Sequence, residues 1–297
     1  MRRSKNTSFP QRGVRRVEAE RLIQSNRPQV KEGFAHLRNG RRLITARLSQ
    51  TSPGSLLGRL LRLPLRLVPK RAVVTVRSGL NKGLHWIAGS SVHGCWLGHY
   101  EQEKQALATR LVQPGMKVLD IGANAGFYTL AFSHLVGKSG HVWAFEPIAA
   151  NACKLSNHLA LNEITNVTLI QAGVASGAGI AAFDTDFGDS EWRMSNRPGT
   201  YLIPTVSLDA LVETGILPVP DFIKMDVEGA EASVLAGAKG ILENGKTSFM
   251  IALHANEQLN QCLSQLLECR YRIYRLDGMQ LESGCGFADE IYALPPA

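Results

Sequence analysis

The stretch Lys117-Val118-Leu119-Asp120-Ile121-Gly122-Ala123-Asn124-Ala125-Gly126-Phe127-Tyr128-Thr129-Leu130 constrains this chain more than any other. Val118 to Ile121 is a short apolar run carrying one acid, the pattern of a strand buried on both faces. Gly122 to Gly126 supplies a tight turn, and Phe127 to Ala131 reads as the first turns of a helix packing back on a sheet. Such a strand–turn–helix is expected to leave backbone N–H groups free at the carboxyl end of a parallel strand. Open α/β sheets bind their ligands there. The glycines let the backbone approach a ligand that a Cβ would push away.

Details of the turn decide which ligand. A dinucleotide fingerprint needs G-x-G-x-x-G, but the residue two after Gly122 is Asn124. A dinucleotide-dependent oxidoreductase is therefore disfavoured. Asp120-x-Gly122-x-x-x-Gly126 instead resembles motif I of class I S-adenosylmethionine (SAM) methyltransferases. A second landmark agrees: His141-Val142-Trp143-Ala144-Phe145-Glu146-Pro147 is another strand ending in an acid, 20 residues after Gly126. A carboxylate at the tip of the second strand can accept both ribose hydroxyls of a nucleoside.

Charge is unevenly distributed. Residues 1–72 carry 18 Lys and Arg against three acids, a net of +15, whereas residues 73–297 are net −7. The basic overall balance describes the N-terminal segment and not the enzyme-like remainder. Residues 1–52, Arg-rich and weakly hydrophobic, read as a disordered extension. Residues 53–113 read as an amphipathic segment, a β-hairpin and a loop and helix covering the cofactor, and residues 114–297 as the catalytic domain. Leucines alternate with arginines over 53–71, so that segment either covers the main domain as a lid or makes weak peripheral contact with anionic lipid. The basic arm also fits an RNA-modifying enzyme, but Phe9 and Phe34 are its only aromatics. No stable nucleic-acid partner is expected. No apolar run approaches the ~20 residues that span a bilayer. The five cysteines (95, 153, 262, 269 and 285) show no metal-ligand spacing, so reduced thiols in the cytoplasm are expected.

Along the chain, Ala72–Arg77 and Leu84–Ala88 read as the hairpin, Ser91–Glu101 as a glycine- and aromatic-rich loop, and Gln102–Val112 as a helix. Beyond the two landmarks, strands are read at 167–172, 222–226, 248–254, 271–276 and 291–294. Helices are read at 151–162, 231–242 and 257–269. Strands alternating with helices indicate a doubly wound parallel sheet.

The chain resembles the FkbM family of SAM-dependent methyltransferases from about Ala72 to Leu294. The resemblance is carried by Asp120-Ile121-Gly122-Ala123-Asn124-Ala125-Gly126, Ala144-Phe145-Glu146-Pro147 and Val206-Ser207-Leu208-Asp209. Its most specific part is Phe222-Ile223-Lys224-Met225-Asp226-Val227-Glu228-Gly229-Ala230-Glu231, the family's K-x-D-x-E-G-x-E signature. It implies an α/β class I methyltransferase fold, Rossmann-like, with a seven-stranded sheet and helices on both faces. It further implies SAM as cofactor and O-methylation of a hydroxyl on a sugar, polyketide, lipid or related metabolite. Many relatives carry an acid two residues before the histidine ending strand five, where this chain has Ala252.

On the residues and the resemblance together, Asp120, Gly122, Ala123, Asn124, Gly126, Glu146, Ala172 and Asp226 are expected around the cofactor. The turn cradles the methionine part, Glu146 takes the ribose hydroxyls and Ala172 lies near the adenine. Asp226, Glu228 and His254 are the catalytic candidates. His254 is favoured as the base on an ordinary imidazole pKa near 6.5, with Asp226 aligning cofactor and acceptor. Asp226 and Glu228 could hold a divalent cation, but the sequence shows no third ligand, and no metal is expected. Alternatively, Glu228 and Glu231 merely cap the following helix.

Overall fold

The computed structural model describes residues 65, 67–184, 193–194, 201–254, 256–282 and 288–296. The readings made on residues 1–64, on most of the polar loop 189–199 and on Cys285 lie outside the described residues. None of the described helices is long and apolar enough to cross a membrane.

The expected hairpin forms as β1 (Val73–Thr75) and β2 (His85–Ile87), paired antiparallel. The segment after it, expected as a loop, contains a short helix α1 (His93–Leu97) that Gly98 ends at φ 85°. Helix α2 (Gln102–Leu111) leads into β3 (Lys117–Ile121). The chain then runs α3 (Phe127–Val136), β4 (His141–Phe145), α4 (Ala149–Leu161) and β5 (Val167–Ile170). A side sheet follows: β6 (Gly173–Val174), β7 (Gly179–Asp184), β8 (Arg193–Met194) and β9 (Tyr201–Val206), ordered β6-β9-β7-β8. Next come α5 (Leu208–Glu213), β10 (Phe222–Met225), α6 (Glu231–Ala236), α7 (Lys239–Asn244) and β11 (Ser248–Ala252). Helix α8 (Asn256–Glu268) and strands β12 (Arg272–Arg275), β13 (Gln280–Leu281) and β14 (Glu290–Leu294) complete it.

The main sheet has the order β13-β12-β14-β11-β10-β3-β4-β5. Seven strands carry the fold and the two-residue β13 adds an edge. From β5 to β11 every pairing is parallel, whereas β14 pairs antiparallel with both β11 and β12. The sheet is therefore mixed: its central strands need crossover helices, and β14 inserts antiparallel between β11 and the β12–β13 hairpin. The chain enters at β3, moves outward to β5, then returns to β10 on the other side of β3. Right-handed crossovers from a start point of this kind place helices on both faces.

The central parallel strands are the buried ones, as their apolar runs require: all four residues of β10 and the last four of β3 and of β11 are buried, whereas the edge strand β5 is not. Leu119, Ile223 and Phe249 align across three strands and pack with Val234, Leu235, Leu263 and Leu266 in one core. Burying each such side chain contributes about 1.5–3 kcal/mol.

The helix expected over 231–242 is broken into α6 and α7 at Gly237. A Cβ on Gly237 would come 2.2 Å from the carbonyl oxygen of Ala175, and the Gly237 carbonyl accepts a hydrogen bond from the Asp209 N–H. Asp209 in turn accepts from the N–H groups of Gly240 and Ile241 at 2.7 and 3.1 Å, holding the start of α7. The Val206-Ser207-Leu208-Asp209 motif thus does structural work, with Ser207 capping α5.

Candidate active site

A cleft of about 270 Å³ opens at the carboxyl ends of β3, β4 and β10, the crevice where doubly wound sheets take ligands. Its floor is the Gly122–Ala125 turn, one wall carries Glu146, Ile148 and Ala172, and the opposite wall carries Asp226 and Glu228.

The turn's backbone N–H groups are not free. Gly122 and Ala123 both donate to the Phe145 carbonyl at 3.0 Å, Asn124 to Glu146 Oε2 at 2.7 Å, Ala125 to Asn124 Oδ1 at 2.7 Å and Gly126 to the Ala123 carbonyl at 2.8 Å. The expectation of an open N–H cradle is corrected: β4 runs close enough for Phe145 and Glu146 to consume the donors. The glycines serve packing. Gly122 sits at φ 76°, and a Cβ there would come 1.8 Å from the Asp226 carbonyl oxygen. Gly126, at φ 95°, is pressed against Leu155 and lies outside the cleft lining. Asn124, at φ 48°, completes the turn.

Asp120 does not line the cleft. It is fully buried behind the turn and accepts from Thr129 Oγ1 at 2.6 Å. Parallel register sets Lys224 beside it on β10. The Lys224 ammonium lies 3.5 Å from Asp120 Oδ1, 3.7 Å from Asp226 Oδ2 and 3.2 Å from the Gly122 carbonyl oxygen. It also stands 5.4 Å from the Tyr128 ring centroid. Burial pulls its pKa down, but Asp120 and Asp226 outweigh burial and hold it above the usual lysine range. Burial pushes Asp226 up, and Lys224 overcomes that to hold it below the usual carboxylate range. Sequence reasoning assigned Lys224 no role; an isolated Lys inside an apolar strand was the available signal.

Glu146 is 4% exposed, with Oε2 accepting from Asn124 and Oε1 from the Ile148 N–H at 2.9 Å. Burial raises its pKa against those hydrogen bonds. A carboxylate offers about four lone-pair sites, so Glu146, which the Asn151 side chain also approaches, keeps capacity for a ligand hydroxyl. A diol acceptor on one wall, the small apolar Ala172 beside it and acids facing a sulfonium on the other wall fit SAM.

His254 lies two residues beyond β11. Its Nδ1 is 2.9 Å from Glu231 Oε1, and its Nε2 is 3.3 Å from Glu228 Oε2 and 3.6 Å from Asp226 Oδ1. The three catalytic candidates therefore converge. The histidine is not unperturbed: the Glu231 hydrogen bond raises its pKa, burial opposes, and Glu228 and Asp226 raise it further. Glu231 opens α6 and accepts from the Gly229 N–H at 3.0 Å through the same oxygen that meets His254, so the loop before α6 and the histidine are held by one atom.

The N-terminal elements pack on the turn. Asn81 donates to the Phe127 carbonyl at 2.9 Å. Trp86 stacks on His158 with centroids 3.9 Å apart. His158 Nε2 accepts from the Ile87 N–H at 3.0 Å, and Nδ1 meets the Ala125 carbonyl at 2.8 Å, which places the proton on Nδ1. Burial lowers its pKa, keeping it neutral. Glu101 accepts from Tyr128 Oη at 2.9 Å and pairs with Lys104, which also pairs with Glu290. Cys95 and Tyr100 from the segment before β3 line the cleft.

The sequence profile of the Methyltransferase FkbM domain matches residues 120–273. The chain is 30% identical over 138 residues to the hexuronic acid methyltransferase AglP of Haloferax volcanii, covering 46% of this chain and 55% of that protein. It is 27% identical over 172 residues to the 2-O-methyltransferase NoeI of Sinorhizobium fredii, covering 52% and 69%. The chain thus spans about half the length of the first of these relatives and about two thirds of the second. The crystal structure of Methyltransferase FkbM from Methylobacillus flagellatus is 20% identical, covers 68% of this chain and 53% of its own, and superposes with a TM-score of 0.44.

Proposed function

This chain belongs to the FkbM family of SAM-dependent methyltransferases, and on that premise we propose that it methylates a hydroxyl oxygen of a sugar or related small-molecule acceptor. The observation that carries the reading is the pairing of two walls across one cleft. Glu146 lies on one wall as the acceptor for a nucleoside diol, Asp226 and Glu228 lie on the other, and His254 meets that pair. Two relatives are named for action on a hexuronic acid and for 2-O-methylation, which supports a sugar-like acceptor.

SAM supplies a methyl group activated by its sulfonium. The protein's part is alignment, exclusion of water and removal of one proton. Glu146 binds the ribose hydroxyls. Lys224 holds Asp226 ionised and in place, and the Asp226 carboxylate balances positive charge on the facing wall. The acceptor hydroxyl docks against Asp226, Glu228 and His254, and this cluster takes its proton; the Nε2 of His254 is the outermost lone pair. Trp86 and Tyr100 close the cleft from the N-terminal side.

The test is methyl transfer from labelled SAM to uronic acids, deoxysugars and glycans, read as label in the acceptor with stoichiometric S-adenosylhomocysteine. Label in a hydroxyl position supports the reading. Transfer confined to RNA or to nitrogen acceptors overturns it.

A further inference from the structure

We propose that Asp226, Glu228 and His254 form a binding site for one divalent cation of the Mg²⁺/Mn²⁺ kind, open to the cleft. The proposal deepens the reading of the cluster as the acceptor site and rests on it for its purpose.

Geometry is the first support. One ligand atom from each residue lies within 4.8 Å of the others, and His254 Nε2 is 3.3 Å from Glu228 Oε2 and 3.6 Å from Asp226 Oδ1. Neighbouring ligands of an octahedral cation at about 2.1 Å stand about 3.0 Å apart. The two histidine–carboxylate distances approach that spacing, and the carboxylates, within 4.8 Å of each other, reach it by side-chain rotation. Two carboxylates and one imidazole suit Mn²⁺ or Mg²⁺, with three further positions left for water or acceptor oxygens.

The imidazole is independently prepared for ligation. Its far nitrogen, Nδ1, is held at 2.9 Å by Glu231, which is fully buried and anchored by the Gly229 N–H. Carboxylate–histidine pairs of this kind turn the other nitrogen's lone pair toward a metal and raise its basicity. The second Glu231 oxygen is buried and has no hydrogen-bond partner, so that carboxylate is committed to the histidine side.

Charge is the third support. Asp226, Glu228 and Glu231 surround one imidazole, and Lys224 is shared between Asp226 and Asp120. A divalent ion offsets the charge of the Asp226–Glu228 pair. Bound there, it acidifies an acceptor hydroxyl placed on an open position. With the Nε2 lone pair of His254 held by the cation, the hydroxyl proton would pass to water in its place, the oxygen taking the methyl group as the thioether departs.

The experiment is titration of Mn²⁺ into the full-length protein with S-adenosylhomocysteine present, followed by the free-Mn²⁺ electron paramagnetic resonance signal. One bound Mn²⁺ per chain is expected. Glu228→Gln and His254→Ala should each weaken it at least tenfold, while S-adenosylhomocysteine affinity, measured separately, stays intact. Glu231→Gln should weaken Mn²⁺ less, acting through the histidine. A free signal unchanged by protein, or Mn²⁺ affinity equal in wild type, Glu228→Gln and His254→Ala, overturns the proposal and leaves the methyltransferase reading standing. Absence of S-adenosylhomocysteine binding strikes that underlying reading instead.

Discussion

Glu231 Oε1 lies 2.9 Å from His254 Nδ1, and Glu231 is completely buried where His254 is not. The pair joins the start of α6 to the end of β11 and points the exposed face of the imidazole at Asp226 and Glu228. His254→Ala should therefore cut turnover by roughly 10²–10⁴-fold, whether its Nε2 holds a proton or a cation. S-adenosylhomocysteine affinity should change little. Full turnover in His254→Ala would remove the cluster from the chemistry.

Glu146 accepts two backbone N–H groups and faces the cleft. Glu146→Gln keeps its shape but not its charge or its doubled acceptor capacity. With hydrogen bonds to charged groups worth about 1.5–3 kcal/mol, SAM affinity should fall about tenfold or more. Calorimetry giving an unchanged dissociation constant would show that the nucleoside binds elsewhere.

The same residue sets a pH dependence. Burial raises the Glu146 pKa above the ordinary 4.5, and ribose hydroxyls prefer the carboxylate. SAM affinity should be flat well above that raised pKa and fall tenfold per pH unit below it, with one proton released on binding in the acidic range. Titrations in buffers of different ionisation enthalpy read that proton directly. A profile flat down to pH 4.5, or one lost in wild type and Glu146→Gln alike, contradicts the assignment.

Lys224 is buried among Asp120, Asp226 and the Gly122 carbonyl. Lys224→Met leaves two carboxylates facing each other without their shared cation. Breaking a buried pair this way costs about 3–5 kcal/mol, so urea unfolding should show a loss of that order. A loss under about 1 kcal/mol would place Lys224 outside the structural core of the site.

Gly122→Ala tests why the turn needs glycine. The added Cβ would meet the Asp226 carbonyl oxygen at 1.8 Å in a backbone at φ 76°. A destabilisation of more than about 2 kcal/mol is expected, visible as a lower melting temperature even without ligand. Normal stability with lost SAM binding would return the glycine to the ligand's side of the turn.

Much of the fold could be read along the chain. The apolar runs 118–121, 142–145, 222–225 and 249–252 are central strands, because a strand buried on both faces must be apolar throughout. The acid ending β4 marks the cleft for the same local reason: a strand tip is where burial stops. The break at Gly237 was not legible, since the glycine is needed by the carbonyl of Ala175, 62 positions earlier. Nor was the loss of the turn's N–H donors, which depends on how closely β4 passes β3.

Contiguous residues and their period thus determined the strand order's raw material, the nucleoside-type turn, Glu146 and the signature from Lys224 to Glu231. Tertiary structure alone decided that Lys224 neutralises Asp120, because parallel register sets residues 104 positions apart side by side. It alone fixed how closely His254, already a candidate from the sequence, approaches the acids. His254 follows β11, the neighbour of β10 in the sheet, so its ring reaches Asp226, Glu228 and Glu231 only once the two strand ends lie together. Sequence spacing encodes what a residue's own element does. Convergence at the end of a parallel sheet comes from elements joined by crossovers, and their lengths place no mark on the residues that finally meet.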